Sequence, residues 1–338
     1  MKVILTIILS FQICFALGQS FNVTTKDISL NIIELIKPAT KVELTHAVKY
    51  KDKFYCFFKE VKKNNLRQDI KFCFVFSNGG NNLKKIEIPN DIQNTVYYDL
   101  FVKNDMVFAK TYMNNKTFYF DIQKSKWVKT KNADDLIFED EIFYVYSLDF
   151  GEWGGKTWFK DKKTELEYAI EATTPLVNKI NTTYYLTSSI QVLKIKNPLT
   201  LNKCNNDLTY ENIKKDAKYA SWYGKPIGFE TLYKDTTARD YFDFSYKPHI
   251  VSSFVWQNEL LHIYETETVT YIAKVGNNSI KTIQKIGDKL RFYDWYYSYR
   301  SKIQKNGQQL LKFKTDNGFG LMEINGQEIN TYNFILKR

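Results

Sequence analysis

Histidine, arginine, proline and glycine are scarce in this chain: three His, five Arg, six Pro and 14 Gly among 338 residues. His46, His249 and His262 are scattered, with no His-x-His or His-Glu-x-x-His spacing to encode a metal site locally. No metal or cofactor is expected on that basis. The positive charge rests almost entirely on lysine. Bidentate reading of phosphates and bases favours arginine, so a dedicated nucleic-acid surface is not expected. No glycine-rich loop opens a helix, which removes the usual phosphate cradle. No Gly-x-Ser-x-Gly elbow is present for a serine nucleophile. After the first 18 residues no stretch approaches the roughly 20 apolar residues of a spanning helix.

Those first 18 residues carry their own signal. Lys2 precedes the apolar run Val3–Leu9, and the small residues Ala16 and Gly18 stand at the −3 and −1 positions before Gln19. This pattern predicts a secretory signal peptide over residues 1–18. The expected product is a secreted or periplasmic protein without a membrane span. The whole chain has a formal net charge of +11. An exported basic protein is drawn to anionic surfaces. The lysines occur in ones and twos, as in Lys62-Lys63 and Lys84-Lys85, so most belong to solvated faces rather than a dedicated groove.

Aromatic residues are plentiful, with 24 Tyr and 25 Phe. Apolar runs of four to eight residues, rich in Tyr, Phe, Val and Ile, alternate with clusters of Asn, Asp, Gly and Lys. That is the composition of strands and turns. Hairpin signals recur at Lys51-Asp52, Asn104-Asp105, Glu139-Asp140-Glu141, Gln257-Asn258-Glu259 and Gly287-Asp288. Further turns are expected at 77–82, 113–116, 276–278 and 316–318. Asn, Asp and Gly tolerate the positive φ these turns demand.

Consecutive marker turns, with a further one near 181, fall about 30–53 residues apart except for one wider gap between about 181 and 257, near the length of one four-stranded repeat. The chain resembles a β-propeller over most of its mature length. That resemblance implies an all-β fold of five to seven four-stranded antiparallel blades, in one domain over residues 19–338. A pair of β-sandwiches is the structural rival. One interval breaks the rhythm: Thr209 is placed to cap a short helix reaching Lys218, followed by an irregular aromatic passage. Residues 205–249 are therefore expected to form a helical insertion or a decorated blade.

The densest local feature is Ser147–Trp158, with two carboxylates, two tryptophans and three glycines. A tryptophan beside an acid offers a sugar both a stacking face and a hydrogen-bond acceptor. Asp149, Glu152, Trp153 and Trp158 are thus candidate ligand-binding residues, against the alternative that both tryptophans plug the core. The stretch nearly resembles the Asp-box of sialidase-type propellers: Ser147, Asp149 and Gly151 fit, whereas Trp153 comes one residue early. Such boxes are structural turns and do not imply hydrolysis. Asp149, Glu152 and Glu230 are acids by neighbourhood only, and no catalytic residue is assigned.

Cys56 and Cys73 lie in two strand-like runs joined by the polar segment 61–69. A hairpin there yields either a cross-strand disulfide or two buried thiols. Cys204 has no local partner. Asn22, Asn115, Asn181 and Asn277 head Asn-x-Ser/Thr sequons. The functional expectation is an exported binding module for a glycan or a surface protein. The alternatives are an envelope assembly component and a carbohydrate-active enzyme using paired carboxylates.

Overall fold

A computed structural model describes residues 20–32, 36, 41–61, 70–112, 115–131, 136–150, 154–216, 226–236, 248–292, 308–316 and 318–337. The signal-peptide segment, Glu152 and Trp153 lie outside these residues.

The strands form a six-bladed β-propeller. Blade 1 comprises Val42–Tyr50, Lys53–Glu60, Lys71–Ser77 and Lys84–Ile86. Blade 2 comprises Tyr98–Lys103, Met106–Thr111, Thr117–Asp121 and Lys126–Thr130. Blade 3 begins with Leu136–Glu139, Phe143–Asp149, Gly155–Asp161 and Glu167–Glu171. It gains a fifth short strand, Asn202–Lys203. Blade 4 comprises Leu176–Ile180, Thr183–Thr187, Gln191–Ile195 and Glu230–Lys234. Blade 5 comprises His249–Trp256, Glu259–Glu265, Val269–Gly276 and Ser279–Asp288. Blade 6 takes Gln309–Thr315, Gly318–Asn325 and Glu328–Leu336 from the end of the chain. Its outer strand is Asn22–Leu30, which runs parallel to Glu328–Leu336 and closes the ring.

The first strand of each blade is the innermost, and these strands neighbour one another around the axis. Aromatic faces fill the space between blades. Between blades 6 and 1, Phe54 meets Tyr332 edge-on at 5.0 Å, and Phe76 meets Phe334 at 5.4 Å. Edge-to-face pairs of this kind add to the burial of large apolar surfaces. The scarcity of glycine is met by asparagine and aspartate at the hairpin tips. Asn104-Asp105 and Asn277-Asn278 adopt positive φ at both central positions, and Gln257-Asn258 does the same. That is the twist a two-residue hairpin requires.

Three expectations are corrected. Gly287-Asp288 is no turn: the outer strand of blade 5 continues to Asp288 through a bulge, and the left-handed residue is Lys289. The helix spans only Tyr210–Lys215, and Thr209 makes no side-chain cap. Its hydroxyl turns back to the Asn206 carbonyl at 3.1 Å, while the buried Glu167 carboxylate accepts from the Tyr210 amide at 2.6 Å. Glu167 thus meets the positive end of the helix from another strand. Finally, Cys56 and Cys73 are free thiols. In the hairpin Cys56 lies opposite Phe74, one residue past Cys73. That offset puts the two sulfurs on opposite faces of blade 1, one packed toward blade 6 and one toward blade 2. Burial pushes both thiols up in pKa.

The interruption of the repeat falls inside blade 4. The chain leaves at Ile195, lends Asn202–Lys203 to blade 3, forms the helix, and returns as the outer strand Glu230–Lys234.

Candidate functional site

Near the axis the polar side chains bond to one another across blades. The inner strands of blades 1, 3 and 5 carry bulges at Thr45, Ile137 and Val251, interrupting their pairing with the second strand. In blade 5 the bulge is followed by two buried serines that serve neighbours on both sides. Ser252 Oγ donates to Gln309 Oε1 of blade 6 at 2.5 Å, and Ser253 Oγ accepts from Asn178 Nδ2 of blade 4 at 2.7 Å. Gln309 Nε2 also donates to the Ser253 carbonyl at 2.6 Å. Lys312 Nζ of blade 6 reaches the Thr45 carbonyl at 2.9 Å, and the Thr45 hydroxyl lies 2.6 Å from Tyr98 Oη of blade 2. This belt runs from blade 4 through 5, 6 and 1 to blade 2. It gathers beside the bulges of blades 1 and 5, although His46 Nδ1 next to the first of them makes no hydrogen bond. His46 lies against Tyr98, its pKa lowered to about 3 by burial and by Lys312 and Lys71.

A different arrangement occurs between blades 3 and 4, where a cavity of about 200 Å³ remains. Its walls come from Lys156, Ala169, Ile170 and Glu171 of blade 3, Asn202 of the borrowed strand, and Gln191, Leu193, Thr231 and Lys234 of blade 4. Pro226, Ile227 and Phe229 of the returning segment complete it. Lys156, Ala169, Ile170 and Leu193 are buried, whereas Glu171, Pro226, Ile227, Thr231 and Lys234 are exposed. The first group is the floor and the second the mouth.

Local sequence explains this shape. Gly155 opens its strand beside the Thr173 segment: a Cβ there would stand 2.6 Å from the Leu148 carbonyl oxygen and 2.8 Å from Thr173 Oγ1. Ser147, fully buried, ties the same two loops together. Its hydroxyl donates to the Lys156 carbonyl at 2.8 Å and accepts from the Thr174 amide at 3.0 Å. On the far side Gly228 adopts φ +83°, with the Thr200 carbonyl oxygen where a Cβ would be, at 2.5 Å. Only glycine lets the returning segment press this closely onto residues 200–201.

The register sets Lys156 opposite Glu171, and Gln191 opposite Lys234. Burial lowers the Lys156 pKa, with Glu171 and Cys204 pulling the other way. Burial pushes the Cys204 thiol up to about 12, which keeps it protonated and unreactive.

None of the described residues singled out from sequence lines this cavity. Asp149 is exposed at the end of its strand, opposite Gly155. Trp158 is fully buried, stacks edge-on with Tyr210 at 5.6 Å and donates from Nε1 to the Leu208 carbonyl at 2.9 Å. It holds the insertion's helix against blade 3. Glu230 is exposed and lies 3.4 Å from Lys194. Lys156, Gln191, Asn202 and Phe229 escape a sequence reading because they come from four separate segments. Among the described residues no group of three or more His, Cys, Asp or Glu gathers as a metal site. None of the described helices is long and apolar enough to cross a membrane.

No protein-family model matches the chain, and no curated protein matches it in sequence. Among solved structures it is similar to Penicillium chrysogenum alpha-L-arabinanase complexed with arabinobiose, at TM-score 0.38 and 10% identity over 87% of this chain and 95% of that one. It is also similar to Zg3597, a family 117 glycoside hydrolase produced by the marine bacterium Zobellia galactanivorans. That match has TM-score 0.30 and 8% identity over 93% of this chain and 89% of that one. A third is YCF48 from Cyanidioschyzon merolae, at TM-score 0.30 and 8% identity over 86% and 95% of the two chains. Likeness at this level leaves function to be argued from the site.

Proposed function

We propose that the protein is an exported, non-catalytic binding propeller that takes one sugar unit of a glycan in the cavity between blades 3 and 4. The observation that carries this reading is the cavity itself. Its volume of about 200 Å³ lies below the range for drug-sized ligands, so the site is scaled to a small unit rather than a long chain. Gln191, Asn202 and Thr231 offer donors and acceptors for hydroxyl groups, and Phe229 and Ile227 offer apolar surface for the ring. Asn178, Ser252, Ser253, Gln309, Thr45 and Tyr98 near the axis, by contrast, already hydrogen-bond across the blades. Export rests on the N-terminal leader pattern: protein recovered from outside the cytoplasm should begin at Gln19.

The test is a glycan array probed with the mature chain and with Thr231→Trp. Thr231 is an exposed strand residue at the mouth, so the variant should fold and fill the entrance. Binding to at least one glycan is expected, falling at least tenfold in the variant. Absence of any glycan binding, or equal binding by both proteins, would overturn the proposal.

A further inference from the structure

We infer that Asn181 and Asn277 are acceptor sites for N-linked oligosaccharide, taken from a lipid-pyrophosphate donor as the chain is exported. This assignment rests on the export part of the reading above and not on the cavity. Asn181-Thr182-Thr183 and Asn277-Asn278-Ser279 are acceptor triplets without proline at the middle position. Both stand at hairpin tips. Ile180 pairs with Thr183 and Gly276 with Ser279, so Asn181-Thr182 and Asn277-Asn278 are the turn residues. Both acceptor asparagines are exposed and left-handed, at φ 54° and 50°. In a chain poor in glycine, asparagine enters this conformation more readily than bulkier residues. The demands of the turn and of the acceptor thus fall on the same side chain.

The folded chain leaves both amides able to carry a bulky group. Among the described residues neither side chain meets a polar partner. In blade 5 the second turn residue does the anchoring. The Asn278 amide donates to the Leu232 carbonyl of blade 4 at 2.9 Å, and Asn278 Oδ1 accepts from the Lys234 amide at 2.8 Å. Asn278 therefore faces blade 4 and leaves Asn277 to solvent. Beside the other tip, Lys179 Nζ holds Asp140 of blade 3 at 2.7 Å. Asn22 differs: its Nδ2 donates to Glu328 Oε1 at 2.6 Å, so a glycan there would displace a bond of ring closure. Asn115 is exposed with φ 50°, but its turn includes residues 113 and 114, outside those described. In the transfer, Nδ2 attacks the anomeric carbon of the donor sugar. The carbon–nitrogen bond forms as the bond from that carbon to the pyrophosphate oxygen breaks. Nδ2 gives up one proton, and the lipid pyrophosphate leaves. Neither asparagine lines the cavity between blades 3 and 4.

The experiment expresses the full chain behind its own leader in a eukaryotic secretory cell line. Secreted protein is treated with an N-glycosidase in heavy-oxygen water, which turns each modified asparagine into a labelled aspartate, and its peptides are read by mass spectrometry. Label at Asn181 and at Asn277 is expected in most molecules. The glycans should also come off the folded protein without denaturant, since both roots are exposed. Asn181→Asp and Asn277→Asp, which keep a residue tolerant of the left-handed turn, should each remove one step of gel mobility. Secreted protein without label at either site overturns the inference and leaves export standing. A chain that stays in the cytoplasm overturns the export reading instead. The same chain behind the host's own leader then decides the tips, label at both supporting them and its absence at either overturning them.

Discussion

The junction between blades 6 and 1 and the junction between blades 3 and 4 use similar residues to opposite ends. The first joins the two termini of the chain. It is filled by Phe54, Phe58, Phe74, Phe76, Tyr332 and Phe334, and it holds an ion pair whose carboxylate is buried. Lys49 Nζ lies 2.7 and 2.8 Å from the two oxygens of Glu323, whose Oε2 also accepts from Tyr332 Oη at 2.7 Å. The second junction is equally firm at one end. There Asp140 accepts from Lys179 at 2.7 Å and from the Tyr184 hydroxyl, with the amides of Ile142 and Phe143 on its other oxygen. Burial pushes the Asp140 pKa up, yet the bonds from Lys179 and Tyr184 bring it below the usual carboxylate value. Toward the returning segment the same junction stays open as the cavity. A propeller can thus leave one gap unfilled when the neighbouring contacts hold the blades at a fixed separation.

The contrast can be broken most severely at the filled junction. Glu323→Ala removes a buried carboxylate that bonds the half-buried Lys49 ammonium and the Tyr332 hydroxyl, and should cost about 3 kcal/mol in urea unfolding. Thr231→Ala, at the exposed mouth of the open junction, should stay within about 0.5 kcal/mol, as usual for a surface change. Equal losses would show that the two junctions bear the same strain. Acid sharpens the comparison next. His46, in blade 1, is held neutral with a pKa of about 3 against an ordinary 6.5. Between those values the unfolded chain takes a proton that the folded chain refuses. The contribution is complete above pH 6.5 and drains as pH falls, by about 2 kcal/mol at pH 5. His262 of blade 5 behaves alike, its pKa also lowered to about 3 by burial. The urea midpoint should therefore fall from pH 6.5 to 5, and His46→Gln should remove about half of the slope. The smallest effect lies beside the cavity. Glu167→Gln weakens the contact with the start of helix Tyr210–Lys215 and should cost about 1 kcal/mol. It should also speed proteolysis within the insertion while leaving cleavage at the filled junction unchanged.

Much of the propeller could be read from residues alone, because its hairpins are local. Asn104-Asp105 and Asn277-Asn278 announce positive φ by their composition and adopt it. The strand continuing past Gly287 could not be read, since a bulge set by blade 5 decides where that pairing ends. The cysteine spacing hid a one-residue offset that only the register reveals. For Trp158 the core plug and the ligand-facing ring were both open from sequence, and the choice is settled by Tyr210, a partner distant in sequence. The cavity was illegible for the same reason. Its walls come from blade 3, blade 4 and a segment that crosses between them, and no short window contains more than two or three of them.

The parallel pairing of Asn22–Leu30 with Glu328–Leu336 has a bearing on how the molecule is made. Contacts such as Thr24 with Asn330 join residues 306 positions apart, so the ring cannot shut before the last strand has been delivered. Until then the first strand waits without its mate, and the two open edges invite pairing with other chains. Closure is a long-range event whose entropy is met late, which places the slow and aggregation-prone stage of folding at the end of synthesis.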